Sequence, residues 1–325
     1  MSNIRPGTIS VWEQLSPVLA IFRLVPEEGH PFPRYEAGQY MALRREDCRL
    51  TRRVTGPDGE RRFIPDLDET GRQKRGPVTH AYSIASAPFQ TESLGHVEFL
   101  VILELASTLG RFTESLFDME PREGGEMGYV ERIVGEFTLS RRTEGMPHVL
   151  MVATGTGLAP LASMVRQIDH DASAGRPVPQ RVTLLVANRT RAELAFHEEL
   201  AAIAAARRFD FVYVPSVSRP GDEQGREAIG RGRANNVLRL ALDLPMAEEE
   251  ALAEARKEGR DTKALEAGVA RAVAPHLPPG VDLRALRARL DPETAAVLTC
   301  GNAQAMADIR KAAETRGMRV EQEEW

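Results

Sequence analysis

The chain has 325 residues, enough for about two domains, and its net charge of −5 with 27% charged residues is ordinary for a globular protein. This balance excludes the strongly basic class of nucleic-acid-binding proteins, and the lack of a signal-type start or a long apolar stretch predicts a cytoplasmic protein that does not contact membranes. Two cysteines, Cys48 and Cys300, are too few for a four-cysteine cluster, and the seven histidines show no paired ligand spacing, so we expect no metal site and a reducing compartment.

The first part of the chain, residues 1–143, has the pattern of short strands separated by turns. Its apolar, β-prone runs lie at 18–25, 39–43, 97–105 and 135–139. A hairpin-type turn, Pro57-Asp58-Gly59, separates Val54 from the run at 63–64, and residues 109–116 have a helical pattern. Many short strands between turns predict an antiparallel β-barrel that is closed or nearly closed.

A different pattern begins at residue 147. An apolar run of strand type at 149–153 leads into Thr154-Gly155-Thr156-Gly157, and apolar residues then recur at helical spacing through Val165. A strand, a glycine turn and a helix together offer backbone N–H groups and a positive helix end to a phosphate. The third glycine of the dinucleotide-binding fingerprint is missing, because Pro160 stands near its position. A tight turn between strand and helix that binds no ligand is therefore the alternative interpretation.

The rest of the chain alternates between strands and helices. Strands are predicted at 182–187, 209–214, 296–300 and 318–320, and helices at 192–206 and 304–316. This alternation predicts a parallel sheet with helices on both faces, in a second domain of residues 144–325.

Residues 240–290 interrupt that alternation with a segment rich in alanine, glutamate, arginine and leucine. Apolar residues recur every four positions from Leu265 to Leu277, and Pro278-Pro279-Gly280 separates them from a second series. The pattern predicts a helical insertion of two to three helices. Both a surface elaboration and a dimerisation or partner-docking element are open interpretations, and the oligomeric state is not predicted.

Six short motifs follow one another in a recognisable order: His80-Ala81-Tyr82-Ser83, Gly110-Arg111-Phe112-Thr113, the run 154–160, Val217-Ser218-Arg219, Gly230-Arg231 and Thr299-Cys300-Gly301-Asn302. In this order they resemble the ferredoxin–NADP⁺ reductase family, and within it the bacterial type. The resemblance implies a two-domain protein: an FAD-binding antiparallel barrel, followed by an NADP-binding α/β domain that carries the insertion.

The resemblance also implies which residues bind FAD. They are His80, Ala81, Tyr82, Ser83, Gly110, Phe112, Thr113, Thr154 and the terminal aromatic Trp325. A tyrosine ring offers a flat contact to the isoalloxazine, and a small Ser83 leaves room for the nicotinamide near flavin N5. The family has arginine where this chain has His80, so we expect a weaker or pH-dependent grip on FAD, with Arg111 supplying charge.

The NADP-binding residues implied by the resemblance lie in the second domain. They are Thr154, Gly155, Thr156, Gly157, Pro160, Asn188, Arg189, Ser218, Arg219, Arg231, Cys300 and Gly301. Three arginines at the family's 2′-phosphate positions favour NADP over NAD. Ser83, Cys300 and Glu323 are the implied catalytic residues, Glu323 being chosen as the proton relay over its neighbours Glu321 and Glu324.

The implied activity is hydride transfer between NADP(H) and FAD, with single electrons passing to or from ferredoxin or flavodoxin. Residues 44–75 are rich in arginine and predict a basic surface that would attract such an acidic carrier, although a simple exposed hairpin is equally compatible. Two alternatives stay open. One is a reductase of the same fold that uses NAD(P)H and serves an oxygenase or free flavin; the other is a nucleotide-sensing or partner-binding protein that lacks flavin.

Overall fold

A computed structural model of the chain describes residues 3–56, 59–105, 110–221 and 229–323. The chain divides into two compact units, Met1–Thr138 and Leu139–Trp325. The predicted domain boundary, at residues 143 and 144, differs from this division by one short helix that belongs to the second unit.

The first unit contains an antiparallel sheet with two short helices. Its elements are β1 (Ile4–Ser16), β2 (Leu19–Pro26), β3 (Tyr40–Arg49), β4 (Thr51–Thr55), β5 (Arg61–Pro65), β6 (Arg75–Ser83), α1 (Pro88–Leu94), β7 (Val97–Ile102), α2 (Phe112–Phe117) and β8 (Glu126–Val134). Six strands pair in the order β6-β3-β8-β1-β2-β7, and β4 and β5 form a separate hairpin. The Ala85 N–H donates to the Glu98 carbonyl at 2.7 Å, which joins the end of β6 to β7 and curls the sheet. The predicted antiparallel barrel is confirmed.

The second unit contains a parallel sheet and most of the helices. Its elements are α3 (Leu139–Arg142), β9 (His148–Thr154), α4 (Leu158–Ser173), β10 (Arg181–Asn188), α5 (His197–Ala206), β11 (Phe211–Val217), β12 (Gly230–Arg231), α6 (Ala234–Ala241), α7 (Ala247–Lys257), α8 (Lys263–Arg271), α9 (Leu283–Arg287), β13 (Ala295–Cys300), α10 (Ala303–Glu314) and β14 (Arg319–Gln322). The strands lie in the order β12-β11-β10-β9-β13-β14, all parallel. The predicted parallel α/β architecture is confirmed.

The central strands of this sheet are buried along nearly their whole length. Val152 and Val297 belong to a core cluster with Val237 of α6 and Ile309 of α10, so these two helices cover one part of the sheet. Their first turns thereby come to lie at the carboxyl ends of the strands, which is where ligands of such sheets bind.

The insertion is helical, as the composition predicted, but its helices are shorter than the apolar repeat. The helix α8 ends at Arg271, before the last two residues of the apolar repeat, Val273 and Leu277. Arg231 and His276 then exchange backbone hydrogen bonds of 2.9 and 3.0 Å, which tie the insertion to β12.

The predicted elements differ from the structure in further places. The predicted strand at 135–139 is wrong, because β8 ends at Val134, the next four residues form no strand, and Leu139 begins a helix. Strands β1 and β8 were not predicted, since their exposed positions carry charged and polar residues that break up the apolar run. Pro57 and Asp58 of the predicted turn lie outside the described residues. Within the part of the chain that the structure describes, no helix combines the length and apolar character needed to cross a bilayer.

Candidate active site

The glycine turn after β9 exposes backbone where a ligand can approach it. Gly155 has a φ of +58°, a conformation that glycine adopts without strain, and a Cβ placed on it would meet nothing within 4 Å. The turn is a single 3-10 turn, Gly155–Gly157, and Leu158 begins α4 directly after it. A phosphate can therefore reach the main chain at Gly155 without passing a side chain.

Gly157 serves a different purpose from Gly155. A Cβ on Gly157 would overlap the backbone of Cys300 and Gly301, and one on Gly301 would overlap Thr154. The Thr154 hydroxyl accepts a hydrogen bond of 2.9 Å from the Asn302 N–H. These glycines bring the loop after β9 against the loop after β13, and Pro160 is buried in the first turn of α4.

A cavity of about 660 Å³ lies at the carboxyl edge of the parallel sheet. Its sheet side is formed by Thr154, Gly155, Ala187, Asn188, Arg189, Ser218 and Asn302. The first turns of α6 and α10 continue the wall, and α7 and α8 of the insertion close the other side. The volume falls within the range of small-molecule and cofactor sites.

The three predicted arginines meet at neighbouring strand ends. The Arg219 N–H donates to the Arg189 carbonyl at 2.8 Å, and Arg231 pairs in register with Val217. The Arg189 guanidinium binds both carboxylate oxygens of Glu193 at 2.7 and 2.9 Å. Arg219 and Arg231 are exposed, and neither has an ion-pair partner among the described residues.

Cys300 and Glu323 form a buried pair at the end of β13. The thiol donates to Glu323 Oε2 at 3.0 Å, and the two residues are 0% and 4% exposed. Burial and the adjacent carboxylate raise the pKa of Cys300 well above its ordinary value. The sulfur therefore stays a protonated thiol and a hydrogen-bond donor, unsuited to nucleophilic chemistry.

In the first unit, the motif on β6 presents an aromatic surface. The rings of His80 and Tyr82 lie 5.6 and 5.3 Å from the ring of Phe112, which is buried beneath them. Burial raises the pKa of Tyr82 above its ordinary value, so its phenol stays neutral. Ala81 is exposed, whereas Ser83 is buried.

In the motif Gly110-Arg111-Phe112-Thr113, which was predicted to bind FAD, the polar groups form hydrogen bonds within the protein. The Gly110 N–H donates to the Thr51 hydroxyl at 2.7 Å, and the Thr113 hydroxyl accepts from the Glu104 N–H at 2.9 Å. Phe112 belongs to the core of the unit. Trp325, the predicted terminal aromatic contact, lies outside the described residues, as does Glu324.

The chain is similar in sequence to known proteins over part of its length, and it is similar in fold to solved structures over nearly all of it. The family model for the oxidoreductase NAD-binding domain matches residues 151–253. Ferredoxin–NADP reductase B of Sorangium cellulosum is 34% identical over 130 residues, which are 40% of this chain and 46% of that protein. A ferredoxin NADP⁺ reductase from Neisseria gonorrhoeae, solved with bound FAD and NADP, superimposes over 99% of both chains with a TM-score of 0.56 at 17% identity. The sequence matches and the shared fold together support the predicted resemblance to the ferredoxin–NADP⁺ reductase family.

A second sequence relative is named for a different electron donor and acceptor. NADH-cytochrome b5 reductase 2 of Rattus norvegicus is 33% identical over 73 residues, which are 22% of this chain and 25% of that protein. The matched segments thus span less than half the length of either sequence relative.

Sequence reasoning did not find every residue of the cavity. Arg233, Asn235 and Lys311 border it, and so do the inner faces of α7 and α8. Two adjacent asparagines, Asn235 and Asn236, near the start of an amphipathic helix were the available signal, because asparagine is a poor residue for a helix interior. The contribution of α7 and α8 had no comparable signal in the sequence.

Proposed function

We propose that this protein is an NADP(H)-dependent flavoprotein reductase that exchanges electrons with ferredoxin or flavodoxin. The observation that carries the proposal is the cavity at the carboxyl edge of the parallel sheet. The accessible backbone of Gly155 and the side chain of Arg189 border it, and Arg219 and Arg231 follow the ends of the two neighbouring strands. An open backbone suits the pyrophosphate of a dinucleotide, and arginines suit an adenosine 2′-phosphate.

The residues of β6 fit an FAD molecule in the first unit. The Tyr82 ring is supported by buried Phe112, is itself half-buried, and its hydroxyl has no hydrogen-bond partner among the described residues. A flavin packed on this ring would gain a flat apolar contact and a hydroxyl donor. When bound, FAD supplies a hydride acceptor at N5 and the capacity to release electrons one at a time. His80 and Arg111 would hold its phosphates, and Ser83 would lie near N5.

Cys300 and Glu323 supply the second unit's part of the chemistry. The buried thiol is small and stays protonated, so in this proposal it shapes the space for the nicotinamide ring. The Glu323 carboxylate, fixed by the thiol and by its own N–H donating to the Thr299 carbonyl at 3.1 Å, would hold a proton for exchange with reduced flavin.

The hairpin of β4 and β5 supports an acidic partner. Four arginines, Arg52, Arg53, Arg61 and Arg62, are exposed on its two strands. Clustered positive charge raises the rate at which an acidic protein encounters the surface, and this effect weakens as salt is added. Ferredoxin and flavodoxin are carriers of that kind.

One observation favours a second candidate function, an NADH-dependent reductase of the same fold that serves an oxygenase or free flavin. The Arg189 guanidinium is already paired with the carboxylate of Glu193, which is only 5% exposed. One of the three arginines proposed for the 2′-phosphate therefore has its charge balanced within the protein. The sequence relative from Rattus norvegicus is named for NADH.

The deciding experiment is an anaerobic visible spectrum of the purified protein, taken before and after NADPH and then NADH. A flavin spectrum that NADPH bleaches faster than NADH, and that ferredoxin or flavodoxin restores, would support the proposal. A protein that stays colourless with added FAD would overturn it in favour of a nucleotide-sensing protein. Faster bleaching by NADH would favour the second candidate.

The arginines give the nucleotide preference its own test. Replacing either Arg219 or Arg231 by alanine should raise the KM for NADPH by about ten- to a hundredfold, with little change for NADH, because each charged contact contributes about 1.5–3 kcal/mol. Equal losses for both nucleotides would refute the role of these side chains at the 2′-phosphate.

A further inference from the structure

The insertion makes one side of the nucleotide cavity acidic. Among the described residues that border the cavity, α7 supplies three carboxylates and α10 supplies one: Glu248, Glu250, Glu254 and Asp308. Three cations border the same space, namely Arg189, Arg233 and Lys311. A ligand that brings an additional phosphate into the cavity therefore meets carboxylates as well as cations, and close like charges repel one another.

Two of the three cations make two hydrogen bonds each to carboxylates of the protein. The Arg189 guanidinium binds both oxygens of Glu193, which is buried. The Lys311 ammonium donates to Glu250 and Glu254 of α7, at 2.9 and 3.0 Å. A ligand phosphate would therefore compete with two hydrogen bonds at either of these cations.

The third cation, Arg233, is the most accessible of the three. It directly precedes α6, and its side chain is 68% exposed, against 37% and 51% for Arg189 and Lys311. Its guanidinium donates to Glu248 at 3.2 Å. An exposed ion pair of this kind contributes little to stability, so a phosphate can draw Arg233 away from Glu248 without disturbing the fold.

Glu248, in contrast, is held in place. Its side chain is 17% exposed, and its Oε2 accepts a hydrogen bond from Asn236 Nδ2 at 2.8 Å. Asn236 is 1% exposed, and its Oδ1 accepts from the Ala247 N–H at 3.0 Å, which determines the end of the amide that faces the carboxylate. The Glu248 carboxylate thus stays at the cavity wall when the exposed guanidinium of Arg233 turns towards a ligand.

Building on the proposed function, we infer that Arg233 binds the 2′-phosphate of NADP(H) and that Glu248 sets the preference between NADPH and NADH. The fixed carboxylate competes with the 2′-phosphate for the guanidinium and repels it. NADH carries a hydroxyl group in place of this phosphate and is not repelled. The insertion therefore reduces the preference for NADPH that the arginines would otherwise give, and Glu248 is the residue through which it does so.

The first test is Glu248→Gln, which keeps the shape of the side chain and an oxygen for Asn236 but removes the charge. The ratio of kcat/KM for NADPH to that for NADH should rise about tenfold, mainly through a lower KM for NADPH, because a negative charge near the phosphate is removed. A damaged fold cannot produce this result, since it would not improve the use of one nucleotide. An unchanged or lower ratio would overturn the inference.

Glu258→Gln is the matched control. Glu258 directly follows α7, is exposed and pairs with Arg260, and it is not among the residues that border the cavity. Ten residues, or about 15 Å of helix, separate it from Glu248, which is more than the screening length of about 8 Å at physiological salt. Its nucleotide ratio should therefore match that of the wild type. A rise equal to that of Glu248→Gln would trace the effect to net charge and overturn the inference.

A double-mutant cycle tests the competition for Arg233. Arg233→Ala alone should raise the KM for NADPH with little change for NADH. In the Arg233→Ala background, Glu248→Gln should bring a much smaller gain for NADPH than it brings alone, because the two side chains act on the same phosphate. A full gain without the guanidinium would contradict the role of Arg233.

Binding of adenosine 2′,5′-bisphosphate, compared by calorimetry with that of adenosine 5′-monophosphate, separates this inference from the proposed function because it requires neither flavin nor turnover. Glu248→Gln should bind the bisphosphate about tenfold more tightly than the wild type and the monophosphate equally well. Equal changes for the two ligands, or none, would overturn the inference even in an active reductase. A protein that shows the selective gain but never reduces flavin would contradict the proposed function alone.

Discussion

The two sides of the nucleotide cavity are built on different physical principles. On the loop side, Gly157 and Gly301 let two backbone segments touch, with no room for a Cβ. On the helix side, Arg239, which is 1% exposed, holds α6, α7 and α10 together. Its guanidinium donates to Asp308, to Glu250 and to the Pro245 carbonyl.

The difference determines what each side tolerates. Backbone contact between loops is independent of pH, but any added atom disturbs it. A charge network accepts changes of shape more easily, but it requires each carboxylate to remain ionised and each cation to remain present. The loop side and the helix side of the cavity thus differ in what would disrupt them.

The largest expected effect comes from removing the cation of the helix side. Arg239→Met keeps the apolar stem but leaves Asp308 and Glu250 without their shared partner, so the free energy of unfolding should fall by about 3–5 kcal/mol. Urea unfolding followed by circular dichroism at 222 nm measures it, because most of the described helices lie in the second unit. Arg256→Met, which breaks the exposed pair of Arg256 with Glu266, should cost below about 1 kcal/mol. Equal losses of unfolding free energy in the two variants would show that the buried network stabilises the protein no more than an exposed ion pair does.

A smaller effect is expected on the loop side. Gly157→Ala forces a methyl group into the backbone of Cys300 and should destabilise the second unit by about 1–3 kcal/mol. Gly155→Ala meets open space and bears only the strain of a left-handed conformation, about 1 kcal/mol. Thermal unfolding of the two variants side by side checks the order. If Gly155→Ala proved the more damaging, the close contact between the loops would not be the constraint proposed here.

The smallest expected effect is the dependence of the helix side on pH. Lys311, which donates to Glu250 at 2.9 Å, and Arg239 lower the pKa of Glu250 below its ordinary value. Because the folded pKa is lower than the unfolded one, this contribution is complete above about pH 4.5 and is lost as the pH falls through the folded value. The urea midpoint should therefore decrease on acidification, and less steeply in Glu250→Gln. Glu258→Gln, at an exposed position, should follow the wild-type curve; a Glu250→Gln curve that also follows it would contradict the assignment.

The sequence was most informative where structure is local. The strand at 149–153, the glycine turn and the following helix were predicted because an apolar run, glycines and helical spacing adjoin one another. Strands β1 and β8 were missed because charged and polar residues interrupt their apolar positions. The apolar repeat of the insertion continues past Arg271, where α8 ends, so the repeat alone does not mark the end of that helix.

The site was predictable as a set of motifs but less so as a cavity. Arg189, Arg219 and Arg231 follow neighbouring strand ends because of the register in which β10, β11 and β12 pair. That register cannot be read from the sequence. The role of α7 and α8 depends on Arg239 reaching Asp308 on a distant helix, a contact between positions with no sequence pattern in common.

The antiparallel bridge between Arg231 and His276 has a consequence for solubility. β12 is the last strand on its side of the sheet, and an uncovered edge strand is a template on which other copies of a protein aggregate. The segment around His276 covers that edge, and Pro275 and Pro278, which lack N–H groups, prevent it from serving as a new edge. A shortened chain without the insertion would therefore expose an unpaired edge strand, and we expect it to associate with its own copies more readily than the full chain.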